Sequence, residues 1–277
     1  MAANREAIDN AFNGFKSELM SYIFRLTANK ELAEDVVQDT YIKIVENAAS
    51  FKGTSSFKTW VFSIATNHAK NILKRQRKWV ENAQDYGAML HVKSQKHWTA
   101  FQDVFAATPE QTYEIKEHLA YCFTCLNKTL PLEQQVCLLL KEIYGFTVVE
   151  IVSITQLTEG KVKHAIANAR NTLATIFSKR CAIVSQNGVC HQCSELTGAL
   201  NPAQNVQERI NKLRLAKAKL TASNAQLLDV RLEIVKSVDP LLSKNSLVTT
   251  YFLENLEKWV DEGKAKKVLE NPSESRS

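Results

Sequence analysis

"TWVFSIATNHAKNILKRQRK" runs from Thr59 to Lys78 and, set on a helix, divides into two unlike sides. Val61, Ala65, Ala69, Ile72 and Leu73 stack along one side, with Trp60 and Ile64 beside them. Ser63, Asn67, Lys70, Asn71 and Lys74 fall on the other. Lys70, Lys74, Arg75, Arg77 and Lys78 crowd the end of the segment, and no acid offsets them. Side-chain amides hydrogen-bond base edges and ammonium groups attract phosphate, so this polar side fits nucleic acid. An ordinary solvated face is the competing reading; the missing acids and the paired Asn positions weigh against it.

The same three- and four-residue spacing recurs along most of the 277 residues, while Gly (8) and Pro (5) are scarce and strand-like alternation is hard to find. The expected fold class is all-α. Ile8, Phe12, Phe15, Leu19, Tyr22 and Ile23 form a first amphipathic stretch, and Leu32, Val36, Val37, Thr40, Ile44 and Val45 a second. The second carries Glu31, Glu34, Asp35, Asp39 and Glu46 against Lys43 alone. An acidic surface followed by a basic one predicts two different partners, which the modest net charge of +6 would not reveal.

A second constellation lies in "FTVVEIVSITQLTEGKVKHAIANARNTLATIF", Phe146 to Phe177. A short helix, a tight break and a longer helix at this spacing describe a helix-turn-helix. Thr158 is the expected N-cap of the second helix. Lys161, Lys163, His164, Asn168 and Arg170 are available to face outward, while Val162, Ile166, Leu173 and Ile176 face the core. A helical hairpin without function is the alternative, and a second candidate nucleic-acid helix in the same chain weakens it.

These residues resemble the extracytoplasmic-function sigma factors of bacterial RNA polymerase. "AEDVVQDTYIKIVENAASFKGTSSFKTWVFSIATNHAKNILKRQRK" (Ala33–Lys78) is similar to that family's region two. "CLNKTLPLEQQVCLLLKEIYGFTVVEIVSITQLTEGKVKHAIANARNTL" (Cys125–Leu173) is similar to its region four. Together the two reach over about the first two thirds of the chain. The resemblance implies that Asp35, Gln38 and Asp39 grip core RNA polymerase. It implies that Asn67, Lys70, Asn71, Lys74 and Arg75 receive the melted minus-ten strand of promoter DNA. Lys161, Lys163, His164, Asn168 and Arg170 would read the minus-thirty-five element, and an anti-sigma factor is a further partner of such proteins. A basic track with pockets for extruded bases is what a single strand requires. The chain departs from the family pattern at Gln135, where Arg is common, at Val152, where Ala is usual, and in a turn without its common Gly.

The expected organisation is region two over residues 1–80, a linker over 81–108 and region four over 109–180. A Cys-rich segment over 181–200 and a C-terminal helical regulatory domain over 201–270 complete it. Cys181, Cys190, His191 and Cys193 lie close enough for a zinc site, since two near thiolates can clamp one side of a tetrahedral ion. Adjacent Cys190 and His191 rarely share one ion, so a ligand from elsewhere, a redox pair at Cys190 and Cys193, or simple burial stay open. Cys122 and Cys125, one turn apart on an amphipathic helix, read as buried small hydrophobes. Phe57 and Trp60 read as core rather than as base-stacking partners.

The longest apolar runs are about five residues, as at Val136–Leu140, and no signal peptide is visible, so neither membrane insertion nor export is expected. Six cysteines in a chain this long do not make a secreted disulfide framework, and a cytoplasmic location is expected. No nucleophile–base pair, phosphate-binding Gly loop or paired catalytic acids emerges, so the protein is expected to be no enzyme and to require no cofactor. The alternative function is a stand-alone helix-turn-helix regulator with a metal or redox sensing domain. Such a regulator has no reason to carry the acidic Asp35–Asp39 surface.

Overall fold

The computed structural model describes residues 2–74, 79, 95–106, 115–180, 222–244 and 246–261. Among these residues the regular elements are helical and no strand occurs. In chain order they are α1 (Ala2–Asn13), α2 (Lys16–Thr27), α3 (Lys30–Glu46), a 3-10 turn at Ala48–Ser50 and α4 (Phe57–Leu73). α5 (Gln95–Ala106), α6 (Ile115–Lys128) and α7 (Leu132–Leu138) follow, the last running into a π-helical turn at Leu139–Ile143. α8 (Val148–Thr155), α9 (Glu159–Arg180), α10 (Asn224–Lys236) and α11 (Ser246–Asp261) complete the set.

The chain forms two compact units. The first joins residues 1–76 to 131–169, and the second joins 77–130 to 170–277. In the first unit α2, α3 and α4 pack on one another, and α1 lies against α2 and α3. Their buried residues follow the helical period: Leu19, Tyr22, Ile23 and Leu26 on α2, Ala33, Val36, Val37, Thr40 and Ile44 on α3. Local chemistry sets the ends. The Asn29 side chain accepts from the Leu32 N–H at 2.8 Å to start α3, and Ser56 accepts from the Thr59 N–H at 3.1 Å to start α4. The stretch expected as one amphipathic segment over Ile8–Ile23 is divided, because the chain turns at Gly14 and Phe15 between α1 and α2.

α8 packs directly against α4 in the same unit. Its N-terminus is a capping box in which the Thr147 hydroxyl accepts from the Glu150 N–H while the Glu150 carboxylate accepts from the Thr147 N–H at 2.8 Å. α8 ends at Gln156, whose φ of 60° and ψ of 20° are left-handed. This is the position where the Gly common to such turns is missing, and a glutamine adopts the glycine conformation instead. Thr158 then caps α9 as expected: the Lys161 N–H donates to its hydroxyl at 3.4 Å. Val152 is half-buried, so its extra methyl groups sit at the margin of the core, while Gln135 is buried and faces the interior.

In the second unit α10 packs on α6, and α11 on α5 and α6. α5, a 12-residue helix, falls inside the segment expected to be a linker. Cys122 and Cys125 are buried on α6, in keeping with the hydrophobic reading, and Cys137 is buried on α7. Cys181, Cys190, His191 and Cys193 lie outside the described residues, as does the start of the helical domain expected over 201–270, up to residue 221.

Candidate nucleic-acid interface

α3 and α4 each bury an apolar stripe and turn their polar side out. On α3, Asp35, Gln38 and Asp39 are exposed, so the three residues expected to meet a protein partner share one accessible face. Gln38 and Glu34 also line a cavity of about 650 Å³ with Asp9, Phe12, Lys16 and Tyr41. The Asp39 carboxylate stands 3.6 Å from Nε2 of His68 on α4. Burial, then the Lys43 charge, hold the His68 ring below its ordinary value, against the opposite pull of Asp39. The shift favours the neutral form of the His68 ring.

On α4, Asn67, Asn71 and Lys74 are exposed and Lys70 is half-buried; Arg75 lies outside the described residues. The four described candidates thus occur on one side of a helix whose opposite side, Val61, Phe62, Ala65 and Ala69, is core. Phe57 and Trp60 are half-buried rather than core. They join Phe51 in an aromatic cluster with ring centroids 5.2 to 5.9 Å apart, beside the loop that enters α4. Both lie on the first turn of α4, where Phe57 also meets Phe15 at 6.1 Å between ring centroids.

One basic residue of this stretch is committed elsewhere. Lys58 pairs with Glu18 at 2.6 Å, and its ammonium lies 5.1 Å from the centroid of Phe146. Phe146 in turn stands 4.8 Å from Phe62, and Tyr144 lies 5.4 Å from Tyr22 and 3.0 Å from the Ser21 hydroxyl. The Thr59 hydroxyl donates to Glu150 at 3.3 Å. Aromatic packing of Phe146 on Phe62 and the Thr59–Glu150 bond therefore seat the first helix of the helix-turn-helix on α4, while Tyr144 ties the turn before it to α2.

On α9, Lys161, Lys163 and His164 are exposed, and Asn168 and Arg170 are half-buried. Val162, Leu173 and Ile176 are buried as expected; Ile166 is half-buried. Lys163 pairs with Glu159 at 2.6 Å along the exposed surface, and the Asn168 amide lies 3.3 Å from the His164 ring. Arg170 donates to Asp229 on α10, a partner that nothing in the sequence pattern pointed to.

Chemically, these surfaces hold charge and hydrogen-bonding groups outward. Among the described residues no group of three His, Cys, Asp or Glu side chains is arranged to hold a metal ion. Cys137 is inert, its thiol pushed up to about 12, first by burial and then by Glu133. No described helix is long and apolar enough to cross a membrane.

Comparison with known proteins gives these surfaces a family. Residues 12–79 match the model of sigma-70 region 2, and residues 122–173 that of sigma-70 region 4. RNA polymerase sigma factor YlaC of Bacillus subtilis is 36% identical over 76 residues, which are 27% of this chain and 44% of that protein. A probable RNA polymerase sigma factor of Haemophilus influenzae is 27% identical over 174 residues, covering 60% of this chain and 87% of the relative. The ECF RNA polymerase sigma-E factor of Salmonella typhimurium is 30% identical over 139 residues, half of this chain and 70% of the relative. With region two ahead of region four, and with that degree of identity over most of the relative, the chain belongs to the extracytoplasmic-function RNA polymerase sigma factors.

Proposed function

We propose that this protein brings core RNA polymerase to particular promoters in the cytoplasm and helps open them, with no enzymatic step of its own. The observation that carries this is the pairing of two packed helices with opposite outward chemistry: α3 with exposed Asp35, Gln38 and Asp39, and α4 with exposed Asn67, Asn71 and Lys74. The acids of α3 meet the polymerase. The amides and ammonium groups of α4 take the melted minus-ten strand, with the Phe51–Phe57–Trp60 cluster at the mouth of the helix within reach of a stacked base. α9 enters the major groove of the minus-thirty-five element, its exposed Lys161, Lys163 and His164 near the helix start, where such helices contact base edges.

The test is whether the purified chain co-elutes with bacterial core polymerase and directs a discrete transcript from genomic fragments. Binding to duplex DNA without binding to core polymerase would favour the stand-alone regulator instead.

A further inference from the structure

α9 has a neighbour that the promoter-reading scheme does not use. Within the second unit, the Arg170 guanidinium donates to the Asp229 carboxylate of α10. α10 is held in place by other residues. Its Ser223–Gln226 capping box fixes the start, and Leu227, Leu228, Leu232 and Val235 form the buried stripe. Arg231, 2% exposed, lays its guanidinium 4.8 Å from the ring centroid of Phe177, which is also on α9, and donates to the Leu227 carbonyl at 3.2 Å. Asp229 lies at the rim of that stripe with its side chain 56% exposed, so the packing of α10 does not depend on it.

A carboxylate presents to a guanidinium the same two-oxygen edge as a phosphate. Arg170, at 26% side-chain exposure, is accessible enough to be contested by either. The α10 anchor is also shallow in energy. Among the described residues the Nε and one terminal nitrogen of buried Arg231 find no acceptor, and a buried cation with idle donors weakens the docking that holds it.

We propose that Asp229 is a built-in competitor of promoter phosphate for Arg170, so that the C-terminal helix sets how tightly the recognition helix holds duplex DNA. DNA engages Arg170 by exchanging one anion for another, and whatever moves α10 changes promoter affinity without touching the base-reading residues. The proposal rests on the reading of α9 as the minus-thirty-five helix.

Its test is the affinity of the full chain for a duplex of about 40 base pairs from upstream of a promoter that the holoenzyme transcribes, measured by anisotropy over a series of salt concentrations. Asp229→Asn is expected to bind about two- to five-fold tighter, the range of an exposed ion pair. The slope of log affinity against log salt should steepen by about 0.9, one added phosphate contact. Asp229→Glu should behave as the parent, and adding Asp229→Asn to Arg170→Gln should change nothing further. An unchanged or weaker Asp229→Asn, with Lys161→Gln still weakening the complex, overturns the proposal and leaves the reading of α9 intact. If Lys161→Gln, Arg170→Gln and Asp229→Asn are all without effect, the reading of α9 fails and the competitor with it.

Discussion

Replacing Phe146 by alanine tests the packing that seats the helix-turn-helix on α4. The ring is 4% exposed, stands 4.8 Å from Phe62 and lies under the Lys58 ammonium at 5.1 Å. Truncating a buried Phe costs about 3–5 kcal/mol from lost transfer energy and the cavity left behind. The lost ring pair and cation contact, each about 0.5–1 kcal/mol, place this site in the upper half of that range. Against a total stability of about 5–15 kcal/mol the loss is severe without being complete. In urea, with a slope of about 2 kcal/mol per M, the midpoint should fall by about 2 M. Tryptophan fluorescence, to which Trp60 on α4 contributes, or circular dichroism follows the transition. Val149→Ala is the control, since Val149 is 71% exposed on the neighbouring helix and should shift nothing measurable. A loss below about 1 kcal/mol at unchanged slope would mean that Phe146 does not join the two helices, and the reasoning would fail.

Asp39→Arg should abolish co-elution with core polymerase at an unchanged unfolding midpoint, because Asp39 is exposed; Lys74→Glu should keep polymerase binding and lose promoter opening. If both variants simply unfold, the assignment of the two faces is wrong. Cys137, with its thiol at about 12, should be about one part in 10,000 thiolate at pH 8. Alkylation mapped by mass spectrometry should therefore miss it in the folded protein and find it after denaturation; labelling of the native state would contradict its burial. Glu150 is held below the ordinary carboxylate value, first by the Thr147 N–H and then by the Thr147 hydroxyl. A depressed folded value means stability that is present above the unfolded value of 4.5 and lost as pH falls through the folded one. Glu150→Gln should thus cost about 0.5 kcal/mol at pH 7 and nothing measurable once the parent carboxylate is protonated. A penalty that persisted in acid would assign the effect to shape rather than charge.

Much of this architecture could be read from local pattern. The two-sided helix over Phe57–Leu73, the exposed Asp35, Gln38 and Asp39, and the Thr158 cap all follow from period and end chemistry within one or two turns. What escaped is non-local. Nothing in the spacing of Tyr144 and Phe146 says that they pack on Tyr22 and Phe62, more than eighty residues earlier. Asp229 reads as one more solvated acid until the fold sets it beside Arg170. α5 was obscured for a different reason: Trp98, Phe101 and Phe105 have helical spacing, and Ser94 and Pro109 are start and stop signals, but the mixed composition around them reads as a linker. Phe57 and Trp60 have core spacing, yet the fold gathers them with Phe51 into a half-buried cluster that their spacing does not reveal.

The left-handed turn at Gln156 has a consequence for the order in which the molecule folds. A non-glycine residue in that conformation costs about 1–2 kcal/mol, so the local chain resists the turn until something outside it makes the conformation worthwhile. That support comes from α8 lying on α4, a contact across some ninety residues. The helix pair is therefore a late event: an isolated peptide over residues 146–177 should not hold the turn. In kinetic terms, Gln156→Gly should slow unfolding while leaving the folding rate nearly unchanged, the signature of a site unformed at the transition state.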